Sequence, residues 1–219
     1  MNPYPILPGH VTIPSICHTR QEIPTDFFKI LEELFTTLPQ EYAVFYNGAY
    51  SGASAPDHLH YQGAPQCHIP LIAQYAQWED TKEAINEHIY YIKDYACPLF
   101  AIEWSGNIPA IDLTNVLKLF PKSSEEWEPK LNLLAWKEGQ KNILVIIPRG
   151  KHRPDCYFAE GASQRMISPG GLDMAGIIVT PRKEDFDKIT PEDIRSIMQE
   201  VGLSHETAQE IITKIRNNK

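Results

Sequence analysis

The period of the apolar positions changes several times along the chain, and each change marks an element. His10 to Ile13 is a short apolar stretch between proline-bearing turns and predicts a strand. Thr25 to Thr37 places Phe28, Ile30, Leu31, Leu34 and Phe35 on one helical stripe, with Thr25 as cap and Asp26 in the first turn. Tyr42 to Tyr46, YAVFY, is β-branched and aromatic and predicts a strand. A loop of small residues follows, and then DHLHYQ, where alternation predicts another strand. Thr81 to Tyr91 fits a helix by spacing and strands by composition, so its type stays open; Leu99 to Trp104 is a strand. Asn107 to Ala110 is a turn, and Thr114 to Leu119 a short helix closed by Pro121. LNLLAW and ILVII flank KEGQKN and predict a hairpin, and GIIV (176–179) predicts a strand after the Gly170-Gly171 turn or close approach. Two helices end the chain: one capped by Thr190 with Pro191 at its first position, reaching Gly202, and one from Ser204 to about Arg216. Strands followed by a helical tail at 183–219 give an α+β class; a division of the part before the tail into halves of roughly 1–95 and 96–182 stays open.

Composition narrows the function classes. The 219 residues suffice for one substantial domain or two small ones. A net charge of −8 argues against non-specific nucleic-acid binding while leaving room for a local basic pocket. No apolar run reaches membrane-spanning length, so no membrane partner is expected. The start, MNPYPILPGH, lacks a basic-then-apolar signal; the chain reads as cytoplasmic, or as beginning partway through a longer one. Cys17, Cys67, Cys97 and Cys156 are scattered without C-x-x-C, which favours reduced thiols over a disulfide framework or a Cys-rich zinc site.

The chemistry concentrates between Tyr46 and Gln62, YNGAYSGASAPDHLHYQ. Asn47 to Ser54 is rich in Gly, Ala and Ser, so its backbone N–H groups can approach a phosphate closely; Asn47, Gly48, Ser51, Gly52 and Ser54 form the candidate cradle. His58, His60 and Gln62 follow at a spacing of two and share one face of a strand. An imidazole attacks well only when its other nitrogen is held as N–H, and the His58 backbone C=O is placed to hold His60. Gln62 donates hydrogen bonds but is no general acid at neutral pH, which favours transfer of the group on His60 to a second phosphate over attack by water. Downstream, Arg149, Lys151, His152 and Arg153 fall within five residues at a strand end; Arg149 and Lys151 are anion-site candidates in an otherwise acidic chain.

These segments resemble the transferase branch of the histidine-triad superfamily. NGAYSGAS is similar to the phosphate loop of diadenosine tetraphosphate phosphorylases, DHLHYQ to the histidine motif of GDP-hexose phosphorylases, and galactose-1-phosphate uridylyltransferase carries a related His-Pro-His-x-Gln. Here Asp57 separates Pro56 from His58, unlike in the diadenosine enzymes. Asn132-Leu133-Leu134, Pro148-Arg149 and SPGGLDMAGIIV resemble later segments of the same enzymes. The resemblance implies an antiparallel sheet with flanking helices, built as two related halves. It implies a nucleotidyltransferase or phosphorylase that acts on a nucleoside diphosphate derivative, a dinucleoside polyphosphate or nucleotide sugar, through a covalent nucleotidyl-histidine on His60. Orthophosphate or a sugar phosphate is the implied acceptor, and relatives often form homodimers. The alternative is a nucleotide- or sugar-phosphate-binding module without catalysis. No metal or other cofactor is assigned; the pair that a structural zinc would use in such relatives is His18 and His58, and the cysteine pair that would complete it is missing.

Overall fold

A computed structural model describes residues 2–217. Strand β1 (Val11–Pro14) leads to helix α1 (Phe27–Thr37), then β2 (Tyr42–Asn47) and β3 (His60–Pro65). Helix α2 (Pro70–Tyr75), strands β4 (Glu83–Ala84), β5 (Ile89–Ile92) and β6 (Leu99–Ser105) and helix α3 (Leu113–Leu117) follow. The hairpin of β7 (Leu131–Glu138) and β8 (Lys141–Pro148) precedes two single-turn helices, α4 (Asp155–Phe158) and α5 (Gly171–Met174). Helices α6 (Lys183–Lys188), α7 (Pro191–Val201) and α8 (His205–Asn217) complete the chain.

All eight strands join one antiparallel sheet in the order β1-β3-β2-β7-β8-β6-β5-β4. The central strands are apolar on both faces because both faces are covered. Along β2, Val44 and Tyr46 join a core with α1 (Phe27, Phe28, Leu31) and α8 (Ile211, Ile212, Ile215). Ala43 and Phe45 point the other way, into a core with α2 (Leu71, Tyr75), α5 (Leu172, Met174) and α7 (Met198, Val201). Each fully buried Leu, Ile or Phe stabilises by about 1.5–3 kcal/mol, so α7 and α8 clamp the sheet from opposite sides. The β7–β8 turn has two residues between the paired Glu138 and Lys141, and Gly139 opens it at φ +61°, as a type II′ turn requires.

Several expectations are corrected. GIIV is not a strand: Ile177 N–H bonds the Leu172 C=O and Val179 N–H bonds Asp173 Oδ1, so that backbone closes α5 instead of reaching the sheet. Thr81 to Tyr91 resolves into β4 and most of β5. Helix α1 starts at Phe27, with Asp26 and not Thr25 at the cap position. His58 lies in the loop before β3 and not in the strand. Thr190 caps α7 as expected, accepting from Asp193 N–H, and Asp193 completes a capping box by accepting from Thr190 N–H. Among the described residues, no helix is long and apolar enough to cross a membrane.

Candidate active site

A cavity of about 510 Å³ opens over the β1 end of the sheet, where β1 and β3 pair as Thr12↔Gln62 and Pro14↔His60. His60 and Gln62 share a face with Ala64, on the side of α5. His60 Nδ1 lies 2.8 Å from the C=O of His58, so Nδ1 carries the proton. Nε2 is left as the basic nitrogen, without a protein partner among the described residues, in a side chain that lines the cavity. His58 itself places Nε2 2.8 Å from the Ser15 C=O. Its contribution to His60 is therefore its backbone.

The strands part at this point, and a side chain fills the gap. The β2–β3 register, continued past Phe45↔Gln62, would oppose Asn47 to His60. Gln21, fully buried, occupies that position with its amide. It accepts from His60 N–H at 2.9 Å and donates to the C=O groups of Asn47 (2.8 Å) and His60 (3.1 Å). Gln21 thus supplies the two strands with the partners they no longer give each other.

The loop from Gly48 to Ala55 divides its N–H groups. Those of Gly48, Ala49, Ser51 and Ala53 are spent on Leu131 C=O, Glu128 Oε1 and, for the last two, Gly48 C=O. Those of Gly52, Ser54 and Ala55 have no protein partner among the described residues, and all three residues line the cavity. Gly52 sits at φ +99°, and a Cβ there would lie 2.9 Å from Gly170 Cα, so only glycine fits. Gly48 and Ser51 stand behind the wall and not on it: Gly48 presses on β7, and Ser51 is buried with its C=O accepting from Asn132 at 2.7 Å.

Asn47 is oriented by the same framework. Its Oδ1 accepts from Gly171 N–H (2.7 Å) and Asn132 Nδ2 (3.0 Å), which leaves its NH₂ for the cavity it lines. Asn132 is turned in its own right by Arg149, whose Nη1 donates to Asn132 Oδ1 at 2.9 Å. Arg149 thus departs from the anion-binding expectation: it is 2% exposed, and it also bonds the C=O groups of Pro169, His152 and Val201. Burial lowers its pKa to about 10, which keeps it cationic at neutral pH. Lys151 also lies away from the cavity, on the surface, paired with Asp155 and Glu200. Among the described residues the cavity wall carries no Lys or Arg, and the donors it offers an anion are neutral backbone N–H and side-chain amide groups.

Sequence reasoning missed His10, Gln21, Glu128 and Asn132. Glu128 sits under the loop, accepting from Ala49 N–H (2.7 Å), Tyr46 Oη and Ile23 N–H; burial outweighs these donors and pushes its carboxyl up to about 7. The candidate zinc pair does not fit a metal. The rings of His18 and His58 lie with centroids 4.7 Å apart and planes tilted by 30°, His18 faces Asp57 at 3.3 Å, and His58 Nε2 is spent on Ser15. No group of three or more His, Cys, Asp or Glu converges among the described residues.

Residues 1–65 match a family model described as a domain of unknown function, DUF4922, and residues 73–219 match the GDPGP1-like, C-terminal domain. The chain belongs to the GDPGP1-like C-terminal domain family. No curated protein matches it by sequence. Among solved structures, yeast Ap4A phosphorylase Apa2 superposes with a TM-score of 0.65 at 18% identity, covering 93% of this chain and 71% of that one. The same enzyme in complex with AMP gives 0.64, and in complex with Ap4A 0.65, each at 17% identity over 93% of this chain and 72% of that one. This member of the GDPGP1-like family therefore has the histidine-triad-like fold, as its loop and histidine motif imply.

Proposed function

We propose that this chain is a phosphorylase-type nucleotidyltransferase acting on a nucleoside diphosphate derivative, a dinucleoside polyphosphate or nucleotide sugar, with His60 as nucleophile. The observation that carries the reading is the 2.8 Å contact from His60 Nδ1 to the His58 C=O, which leaves Nε2 as a fixed lone pair beside a loop with unspent N–H groups. Nε2 attacks the α-phosphorus, the Nε2–P bond forms, and the bridging P–O bond breaks with its electron pair leaving on the distal phosphate. An oxygen of orthophosphate, or of a sugar phosphate, then attacks the same phosphorus. The P–N bond breaks and returns its pair to Nε2; with orthophosphate the product is a nucleoside diphosphate. The amide of Asn47, the backbone of Gly52 and Ser54, and the amide of Gln62 stabilise the charge that develops on the phosphoryl oxygens. The Gln62 amide is neither a general acid nor a general base at neutral pH and cannot activate an attacking water, which favours transfer over hydrolysis. Membership of the GDPGP1-like family and the fold shared with an Ap4A phosphorylase support the reading.

The test is intact-protein mass after incubation with diadenosine tetraphosphate, GDP-hexoses, ADP-glucose and UDP-glucose, with His60→Ala in parallel. One added nucleoside monophosphate in the wild type, absent from the variant, is the expected result and names the base. No adduct and no phosphate-dependent release of nucleoside diphosphate, with nucleotide binding unchanged in His60→Ala, would leave a binding module and end the proposal.

A further inference from the structure

Gln62 can help a phosphoryl group only if its amide presents nitrogen and not oxygen, since a carbonyl lone pair repels a phosphate oxygen. The two ends of an amide have nearly the same shape, so packing alone does not decide the flip. A hydrogen bond does. His10 Nε2 lies 2.8 Å from Gln62 Oε1, and both side chains are buried. His10 Nδ1 accepts from Ile6 N–H at 3.2 Å, which puts the ring proton on Nε2; Asn2 Nδ2 lies 3.2 Å from the same nitrogen, but the shorter contact, 2.8 Å to Gln62 Oε1, takes the proton, so the bond runs from His10 to the Gln62 oxygen. The ring is held on the other side by Phe45, 5.4 Å away, which is the β2 residue opposite Gln62. The Gln62 NH₂ has no protein partner among the described residues and belongs to a side chain lining the cavity. Asn47 is arranged in the same way, its oxygen tied back by Gly171 and Asn132.

We propose that His10 is a positioning residue: by donating Nε2–H to Gln62 Oε1, it sets the Gln62 amide with both N–H donors toward the phosphoryl group on His60. This rests on the nucleotidyl-transfer reading above. Neutral imidazole is the form that serves, because Nδ1 has to remain an acceptor for Ile6 N–H while Nε2 donates.

The experiment compares His10→Phe, which keeps an aromatic ring beside Phe45 but has no donor, with His10→Gln, whose amide N–H can restore one. Single-turnover adduct formation on His60 is expected to slow about 10–100-fold in His10→Phe, up to the roughly 100-fold lower end of what one lost oxyanion donor costs, because Gln62 itself remains. Nucleotide Kd should move less than about threefold, and His10→Gln should recover most of the rate. In a Gln62→Ala background, His10→Phe should have no further effect. An unchanged rate in His10→Phe, equal losses in rate and affinity, or additive losses in the double variant would overturn the proposal. A second arm needs no turnover. In ¹⁵N-labelled wild type, His10 should appear as the Nε2–H tautomer, and orthophosphate should shift the Gln62 side-chain amide in wild type but not in His10→Phe. A His10 Nδ1–H tautomer, or a wild-type Gln62 amide that ignores orthophosphate, overturns the proposal too. Absence of any wild-type adduct would strike the transfer reading alone, and this arm would still decide the role of His10.

Discussion

Replacing Gln21 with methionine keeps the length and bulk of a fully buried side chain and removes its amide. Three backbone groups then lose a partner: the N–H and C=O of His60 and the C=O of Asn47. A buried polar group left unpaired costs about 1–3 kcal/mol, and the N–H is the hardest to satisfy otherwise. Some relaxation is available to the two carbonyls, so the total is about 2–5 kcal/mol. In a chain of this length each kcal/mol moves Tm by about 2–4 °C, which gives a fall of roughly 5–15 °C. The strands can also relax by closing on each other, because continued register opposes Asn47 to His60; stability is then recovered at the expense of the direction in which the imidazole points. A misplacement near 1 Å costs on the order of 100-fold in rate. The assay pairs a thermal melt with single-turnover adduct formation on His60. Gln21→Glu sharpens it: a protonated carboxyl both donates and accepts, whereas a carboxylate offers no donor and faces two carbonyls, so this variant should lose stability and rate as pH rises. Gln21→Met with an unchanged melt and a rate within twofold of wild type would refute the claim that this amide holds the strands apart.

Glu128 predicts a pH dependence. Its folded pKa of about 7 lies above the usual 4.5, so the folded state holds the proton more tightly and this group subtracts stability as pH rises from about 4.5 to 7, by up to roughly 3 kcal/mol. Urea denaturation at pH 5 and pH 8 should show a smaller loss in Glu128→Gln than in wild type; identical losses would contradict the assignment. Arg149→Met should destabilise by about 3–5 kcal/mol, because it strands Asn132 Oδ1 and several carbonyls, whereas Lys151→Ala should change stability by less than about 1 kcal/mol and adduct rate by less than threefold. Gly171→Ala places a Cβ 2.8 Å from Asn47 Oδ1 and should slow adduct formation about tenfold or more by turning that amide; a wild-type rate would argue that the Asn47 orientation does not matter.

What the sequence disclosed was set by separation along the chain. The α1 stripe, the β7–β8 hairpin and the Thr190 cap are local patterns and could be read directly. So could the bond from His60 to His58, which spans two residues. The side chains that aim the site make contacts across 39 residues (Gln21 to His60), 52 (His10 to Gln62), 79 (Glu128 to Ala49) and 124 (Gly171 to Asn47), and no local signal marks them. GIIV misled because β-branched composition cannot report that its N–H groups are already spent on α5. Arg149 misled because a cation at a strand end looks exposed until the tail, bonded at Leu203 N–H to the Pro148 C=O, covers it.

The pairing of β2 with β7 has a consequence for synthesis. Asn132, which sits against Asn47, leaves the ribosome 85 residues after it. Until then the emerging chain carries β2 with one edge bare, and the small-residue loop lacks both the strand that closes it and the carboxylate beneath it. Pairings of this range form slowly because a long loop has to close first. A nascent or truncated chain therefore has an adhesive edge and an unbraced loop, while the finished sheet has that edge sealed and the loop held from beneath.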